Sequence, residues 1–434
     1  MNIKIKNTVF LYIHSLRRDY LGNWLLLKEL NKKNIKVILT SKNTLKRLIK
    51  IFSPEGIIVN NSIILDSQQI EKLNSRKVKI IILEQEGATN KMGIETTYPL
   101  RDKKNNFINY SNYSLILVWN TITKNWLKKN RPSLANKIHV CGNMRLDKSL
   151  NNCYQKSNKI IGILGRFEYL NTYDKRNILD HLTRFDPELK RDSTSLKNFS
   201  IEAEGFSLTS KFMRLVLENG FNISLRPHPN EDLETYKLII NKRFKKFKKQ
   251  IKIDNSLSIN EWLSEVFIVI GDISSSYEDI RNANKNIISF EAIKRYRMDE
   301  ERAVNMKNFT KCAYLPKSLK DALKLIKSSN LDIKKSNAYN TFKSKLYGDI
   351  KTKNILNGIV DRITYLLEKK TKKRKKTISF SYYSVVIVAF LIDLLVILKN
   401  LFGNTNFNVL KRKIYYDYNR VLIRPSIYMK KLNS

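Results

Sequence analysis

Apolar runs of strand length alternate with amphipathic stretches of helix length along most of the chain, the pattern of α/β domains built on parallel sheets. Thr8–Ile13 reads as a first strand, Arg17–Asn31 as a helix and Ile35–Thr40 as a second strand. Val78–Leu83 and Leu115–Trp119 follow as strands, then a helix over Thr121–Asn130 and a strand over Ile138–Cys141. Lys159–Leu164 opens a second half with a fresh strand that ends at Gly165. Between Phe167 and Phe199 the periodicity lapses, and a loop or irregular insertion is expected. A helix over Phe206–Glu218 leads to a strand over Phe221–Leu225, and a helix over Asp232–Phe247 to a short strand at Ile251–Ile253. Helices over Ile259–Ser264 and Ser275–Asn284 then alternate with strands over Val266–Ile270 and Asn286–Phe290. Lys317–Lys327 and Thr341–Glu368 close the pattern as helices, the last long enough to cross back over the first half.

A length of 434 residues exceeds one ordinary core. The expected organisation is an N-terminal Rossmann-like domain over 1–150, a second over 158–335, a crossover helix over 336–368 and a tail over 369–434. In that tail Lys369–Lys376 is a basic block, and Thr377–Phe402 is mostly apolar and long enough to span a bilayer. Asp393 in its middle would cost roughly 2.5–3.5 kcal/mol on insertion, and lysines flank both sides. A helix lying in the interface, held by polybasic neighbours, fits these facts better than a single span or a helix buried in the fold. The tail is therefore expected to associate with an anionic membrane surface, with a single C-terminal span as the alternative.

Charge changes the picture less than its size suggests. A net +42 invites a nucleic-acid reading. The lysines, however, are spread along the whole length, and the joint excess of Lys, Asn and Ile is that of an AT-rich coding sequence. No RNP-like aromatic motif or zinc-finger spacing accompanies them. A solvated, compositionally biased surface is expected, attraction to anionic lipid or glycan comes second, and nucleic acid is not an expected partner. Cys141, Cys153 and Cys312 are odd in number and far apart, which argues against a disulfide framework or a zinc site and for a reducing compartment. Met1–Lys6 leads straight into a strand with no apolar signal core, so the expected location is cytoplasmic, peripheral on the inner face of the membrane.

Candidate chemistry gathers at strand ends. Arg226-Pro227-His228-Pro229 follows the strand ending at Leu225 and sets a cation and an imidazole on a turn that two prolines hold rigid; the chain has only 4 histidines. Arg226 could neutralise a departing phosphate and His228 could give it a proton or hydrogen bond. Gly271-Asp272-Ile273-Ser274-Ser275-Ser276 lies where another strand gives way to a helix, and its hydroxyls and amides suit a phosphate. Ser275 and Glu278 also have the spacing of a capping box, so Glu278 is open to two readings, a cap or a contact to a ribose hydroxyl. Glu84-Gln85-Glu86-Gly87 places acids at a strand end beside a glycine, where Glu86, or second Glu84, could take a proton from an acceptor hydroxyl. Gly142-Asn143-Met144-Arg145-Leu146-Asp147 closes the first domain, with Asn143 and Arg145 as cleft-lining candidates. Arg17, with Arg18 and Asp19, follows the first strand and reads equally as a ligand contact or a helix-start salt bridge.

The ordered set Glu-x-Glu-Gly, Gly-Asn-x-Arg-x-Asp, Arg-Pro-His-Pro and the serine cluster between Trp262 and Phe290 resembles bacterial surface-carbohydrate biosynthesis proteins. These are related in pattern to CDP-glycerol glycerophosphotransferases and bacterial polysialyltransferases. Gln85 stands here where the polysialyltransferase-like pattern has the first of two acids, and Ile273 where the teichoic-acid segment has an aromatic. The resemblance covers about Val9 to Phe290. It implies a GT-B fold, a CMP- or CDP-linked donor, a glycan or lipid-linked acceptor held by the first domain, and neither a metal nor a cofactor. It also implies Glu86 as base, with Gly87 beside it, His228 at the leaving phosphate, and Ser275 and Ser276 as phosphate binders, with Ser274 adjoining. The expected activity is glycosyl or glycerol-phosphate transfer. A nucleotide-sugar epimerase of the same architecture and a non-catalytic basic membrane or glycan adaptor are the alternatives.

Overall fold

The computed structural model describes residues 3–14, 16–84, 94–95, 97–102, 105–147, 160–172, 194–254, 256, 258–296, 308–328, 337–347, 355–368, 385, 387 and 391. The chain divides into two compact units, Met1–Lys148 with Ser344–Ser434, and Ser149–Lys343.

In the first unit β1 (Ile3–Lys4) is followed by β2 (Thr8–Tyr12), α1 (Leu16–Lys32), β3 (Lys36–Thr40), α2 (Lys42–Ile51) and β4 (Phe52–Ser53). Then come β5 (Gly56–Val59), α3 (Ser67–Ser75), β6 (Lys79–Leu83), β7 (Leu115–Val118), α4 (Thr121–Asn130) and β8 (Ile138–Val140). Six of these strands form one sheet in the order β3-β2-β5-β6-β7-β8, and β1 pairs with β4. All pairings in the sheet are parallel, with registers such as Phe10 on Ile38, Ile58 on Ile81 and Ile82 on Ile116. Continuous apolar runs such as Ile80–Leu83 and Leu115–Val118 are buried throughout, as they must be in a sheet covered on both faces. The order reverses beside β2, and ligands of such sheets bind outside the carboxyl ends of the strands.

Elements not anticipated from the hydrophobic pattern are the short β1 and β4, β5, and the helices α2 and α3. The start signals of the two helices are in the sequence: Ser41 accepts from the Thr44 N–H at 3.1 Å, and Asp66 with Gln69 forms a complete capping box. The C-terminal helix Ile355–Glu368 belongs to the same unit and buries Ile355, Ile359, Ile363 and Leu367, one stripe at helical spacing.

In the second unit β9 (Ile160–Leu164), α5 (Thr194–Glu218), β10 (Asn222–Arg226), α6 (Leu233–Arg243), β11 (Ile251–Ile253), α7 (Ile259–Glu265), β12 (Ile268–Gly271), α8 (Ser276–Asn282), β13 (Asn286–Ile288) and α9 (Leu319–Lys327) succeed one another. The sheet is again parallel, in the order β11-β10-β9-β12-β13. Its switch point lies between β9 and β12. Trp262 is fully buried against Gly162 of the central strand, where an added Cβ would stand 2.8 Å from the indole. The indole N–H donates to Ser224 Oγ at 3.1 Å, so the largest buried side chain leaves no orphan donor.

Both units are therefore Rossmann-like α/β sheets of the kind the sequence pattern predicts. Two expectations are corrected. The stretch expected to be irregular up to Phe199 is helical from Thr194, so α5 begins twelve residues before Phe206. Ser, Thr, Asn and Gly205 lower helix propensity there, and tertiary bonds override it. Glu202 accepts from the Tyr169 N–H at 2.8 Å, and Glu204 accepts from the Arg295 and Tyr296 N–H groups at 2.9 and 2.8 Å. The helix expected over Asp232–Phe247 ends at Arg243 and is followed by a 3-10 stretch, Lys245–Gln250, with Asp232 as N-cap. Of the closing helix expected over Thr341–Glu368, 341–347 belong to the helix Asn337–Tyr347 and 355–368 to the helix Ile355–Glu368, while 348–354 lie outside the described residues. Of Thr377–Phe402 only three residues are described: Val385 is buried in the first core, and Ile387 and Leu391 are exposed. Among the described residues no helix is long and apolar enough to cross a membrane.

Candidate functional site

The carboxyl edge of the second sheet gathers charged groups from four successive strand ends. β10 delivers Arg226, Pro227 and His228 there. Arg226 is buried, and its guanidinium is committed to Asp254 in an ion pair and to Ser256 Oγ at 2.9 Å, both beyond the end of β11. Its Cζ also lies 6.0 Å from the Trp262 ring centroid. The cation expected to face phosphate thus fastens β10 to β11. A buried guanidinium needs a carboxylate more than the turn needs a loose charge.

His228 is different. Its side chain is 38% exposed, its Nδ1 accepts from the Asn230 N–H at 3.3 Å, and Glu168 Oε2 lies 3.5 Å from Nδ1. Glu168, from the loop after β9, also accepts from Asn230 Nδ2 at 2.8 Å. With Nδ1 taken as acceptor, the neutral ring carries its proton on Nε2. In that tautomer the ring is an Nε2–H donor, with the Glu168 carboxylate beside it.

The turn is held from below by Glu231, a residue the motif reading missed. Its buried carboxylate accepts from the His228 N–H at 3.0 Å, from the Tyr236 hydroxyl at 2.7 Å and from the Phe167 N–H. It thereby ties the loop after β9 to the loop after β10. Gly165 makes this possible, because a Cβ there would stand 2.7 Å from Glu231 Oε2. The signal was in the sequence: Glu231 follows His228 by three residues, in a turn whose own N–H returns to the His228 carbonyl at 2.9 Å.

Burial pushes the Glu231 carboxyl up to about 7, although its three donors pull the other way. Burial also pushes Glu202 up to about 8, with Glu168 and Glu231 adding to the rise. Both groups hold protons in the fold that the unfolded chain releases near 4.5. Their contribution to stability is present in full below that value and is lost as pH rises towards 7 and 8. We expect unfolding free energy to fall across that window, by up to about 1.4 kcal/mol per pH unit per group. Urea titrations from pH 4.5 to 8.5 should show this slope, and it should flatten in the Glu202→Gln, Glu231→Gln double variant. An equal slope in parent and variant would remove these two groups as its cause.

At the end of β12 Asp272 pairs with Lys294 at 2.6 Å, and Glu291 stands 3.3 Å from the same ammonium, which is fully enclosed. The serines lie next. Ser274 Oγ accepts from the Ser276 N–H at 3.2 Å, whereas Ser275 has helical backbone angles and makes no side-chain capping bond. The capping box expected as one reading of Ser275 and Glu278 is therefore absent. All three serines are half-buried at the strand end. Glu278 is buried in α8, as are its neighbours Tyr277, Asp279 and Ile280, so the short helix is enclosed on nearly all sides at this point. Among the described residues no group of three His, Cys, Asp or Glu is placed to hold a metal ion.

In the first unit Glu84 ends β6, is buried, and accepts from the Trp119 N–H at 2.8 Å. It lines a small cavity with Asp19, Gly22, Trp119, Asn143 and Arg145, at the carboxyl ends of β6, β7 and β8. The Arg145 guanidinium lies 5.5 Å from the Trp119 ring centroid, and Asn143 accepts from the Arg145 N–H at 3.0 Å. Asp147, the last acid of that motif, accepts from the Leu356 N–H at 2.8 Å and so caps the C-terminal helix. The motif is thus shared between cavity and helix anchor. Gln85, Glu86 and Gly87 lie outside the described residues. Arg17 lies on α1, and its side chain lies outside them too.

No family model and no curated protein matches the chain. Among solved structures it is similar to an S. aureus MnaA–UDP co-structure, at 14% identity and a TM-score of 0.48, over 87% of this chain and 100% of that one. It is similar to the Methanocaldococcus jannaschii UDP-GlcNAc 2-epimerase in complex with UDP-GlcNAc and UDP, at 14% identity and 0.46, over 84% and 100%. It is similar also to the wall teichoic acid polymerase TagF, at 13% identity and 0.48, over 85% and 91%. By its own topology the chain consists of two Rossmann-like α/β units, the composition of a GT-B protein.

Proposed function

We propose that this chain is a metal-independent glycosyltransferase of surface-polysaccharide biosynthesis, acting on a CMP- or CDP-activated donor. It transfers a sugar, or glycerol phosphate, to a glycan or lipid-linked acceptor. The observation that carries this reading is the His228 ring, whose Nδ1 accepts from the Asn230 N–H on a proline-bounded turn at the carboxyl edge of the second sheet. In sugar transfer the acceptor oxygen attacks the anomeric carbon and gives its proton to Glu86. The bond from that carbon to the donor phosphate breaks, and its electron pair leaves with the nucleotide. The Nε2–H of His228 meets the charge that grows on that phosphate, the point at which a fixed donor has most effect. Ser275, whose side chain does not cap its helix, supplies a hydroxyl to the same phosphate, with Ser274 and Ser276 beside it. Arg226 has a supporting part: its pair with Asp254 fixes the strand end from which the turn springs.

A ligand panel tests the donor class. Saturation at about a hundred times the dissociation constant should stabilise the fold by roughly 2.7 kcal/mol. We expect CMP or CDP to raise the melting temperature of the full chain, and UDP and GDP to do so less. A preference for UDP would favour the epimerase reading. No response to any nucleotide would sink the transferase and leave the adaptor.

A further inference from the structure

The amino edge of the second sheet carries a feature that the proposed reaction does not use. In parallel β-α-β units the helix runs back against the strands, so the end of α6 and the 3-10 stretch before β11 lie at the edge opposite His228. There Lys242, Arg243, Lys245, Lys246, Lys248 and Lys249 are all exposed within eight residues. Phe244 and Ile251 are buried and Phe247 packs on the core, so the backbone between the cations is fixed to the fold. Among the described residues no carboxylate lies within ion-pair distance of any of the six. Arg214 of α5 adjoins them, donating to the Arg243 carbonyl at 3.4 Å. Leu238 of α6, one helical turn before Lys242, is 57% exposed. The neighbouring Lys252, by contrast, is paired with Glu265 at 2.7 Å.

We infer that this edge is a docking face for an anionic lipid bilayer, separate from any contribution of the C-terminal tail. Unpaired cations concentrated on one fixed edge complement a surface of negative headgroups, and Leu238 offers an apolar group to the interface. A polyanionic substrate would engage the carboxyl edge, where the His228 turn stands. Cations on the opposite edge act on a surface the protein rests on and leave the ligand edge accessible.

The test uses the full chain and vesicles of phosphatidylcholine with and without phosphatidylglycerol. Each cation near such a surface contributes about 1 kcal/mol, a factor of about five. Replacing Lys245, Lys246, Lys248 and Lys249 together by glutamine should lower partitioning onto the anionic vesicles by roughly a hundredfold or more. Weak binding to neutral vesicles should not change, and 0.5 M salt, an ionic strength of about the value that shortens screening below 5 Å, should erase the difference. A second variant replaces Lys33, Lys50, Lys72 and Lys128 of the first unit, all exposed and none on this edge. An equal loss from that variant would overturn the inference in favour of overall charge. Unchanged partitioning of the first variant would overturn it in favour of the tail. Loss of heparin or DNA binding with lipid partitioning intact would overturn it in favour of a soluble polyanion.

Discussion

Replacing His228 by alanine is expected to lower transfer from the nucleotide-activated donor by about 10²–10⁴-fold, the range for removing a positioned acid or hydrogen-bond donor. The fold should survive. The ring is over a third exposed, and the turn is held by backbone bonds that alanine keeps: the His228 N–H to Glu231 and the Glu231 N–H to the His228 carbonyl. Stability should therefore change by only about 0.5 kcal/mol. Release of free nucleotide from a CMP- or CDP-activated donor, with and without acceptor, is the measurement. A variant within tenfold of the parent would show that the imidazole takes no part. His228→Gln makes the complementary point, because its amide can donate a hydrogen bond but cannot give up a proton. Activity in the glutamine variant would assign hydrogen bonding, and none would assign proton transfer.

The second large effect concerns stability. Asp254→Ala should cost about 3–5 kcal/mol, because it leaves the buried Arg226 guanidinium without its carboxylate. Arg226→Met should cost a similar amount by stranding Asp254. Changing both, to methionine and leucine, should recover most of the loss, since a buried pair adds little over well-packed apolar groups. Urea unfolding of the four proteins gives the coupling directly. If Asp254→Ala costs under 1 kcal/mol, the pair does not fasten β10 to β11. Arg226 would then be free to act as the phosphate cation that its place in the motif suggested. The two experiments also separate the roles of adjacent residues: His228→Ala should lose activity and keep stability, and the double apolar variant should do the reverse.

The residues of the Arg-Pro-His-Pro tetrad show how far sequence reasoning reached. Its place at a strand end followed from the apolar run before it, and its rigidity from two prolines. What each side chain meets did not follow, because partners come from segments distant in the chain. Asp254 lies twenty-eight residues after Arg226, and Glu168 lies sixty before His228. The serine cluster makes the same point locally. Spacing alone allowed a capping box, and backbone angles at Ser275 decided against it. Glu278 was legible as an acid near the serines, but its burial together with its helical neighbours is set by what packs around α8, which is a tertiary property.

By itself the sequence determined two parallel α/β units, the positions of most of their strands (β5 excepted among those of the two main sheets), and the concentration of polar chemistry at the carboxyl ends. Those features follow from local periodicity: an all-apolar run of five residues has few places to go but a buried strand. Tertiary structure alone decided strand order, the helical start of α5, the anchoring of the C-terminal helix on Asp147, and the partners that Arg226 and His228 meet. For the Arg226 pair and the Asp147 cap the deciding energy is the desolvation of a polar group. A buried guanidinium, carboxylate or helix N-terminus must find its complement, and only the folded chain brings that complement within 3 Å or so.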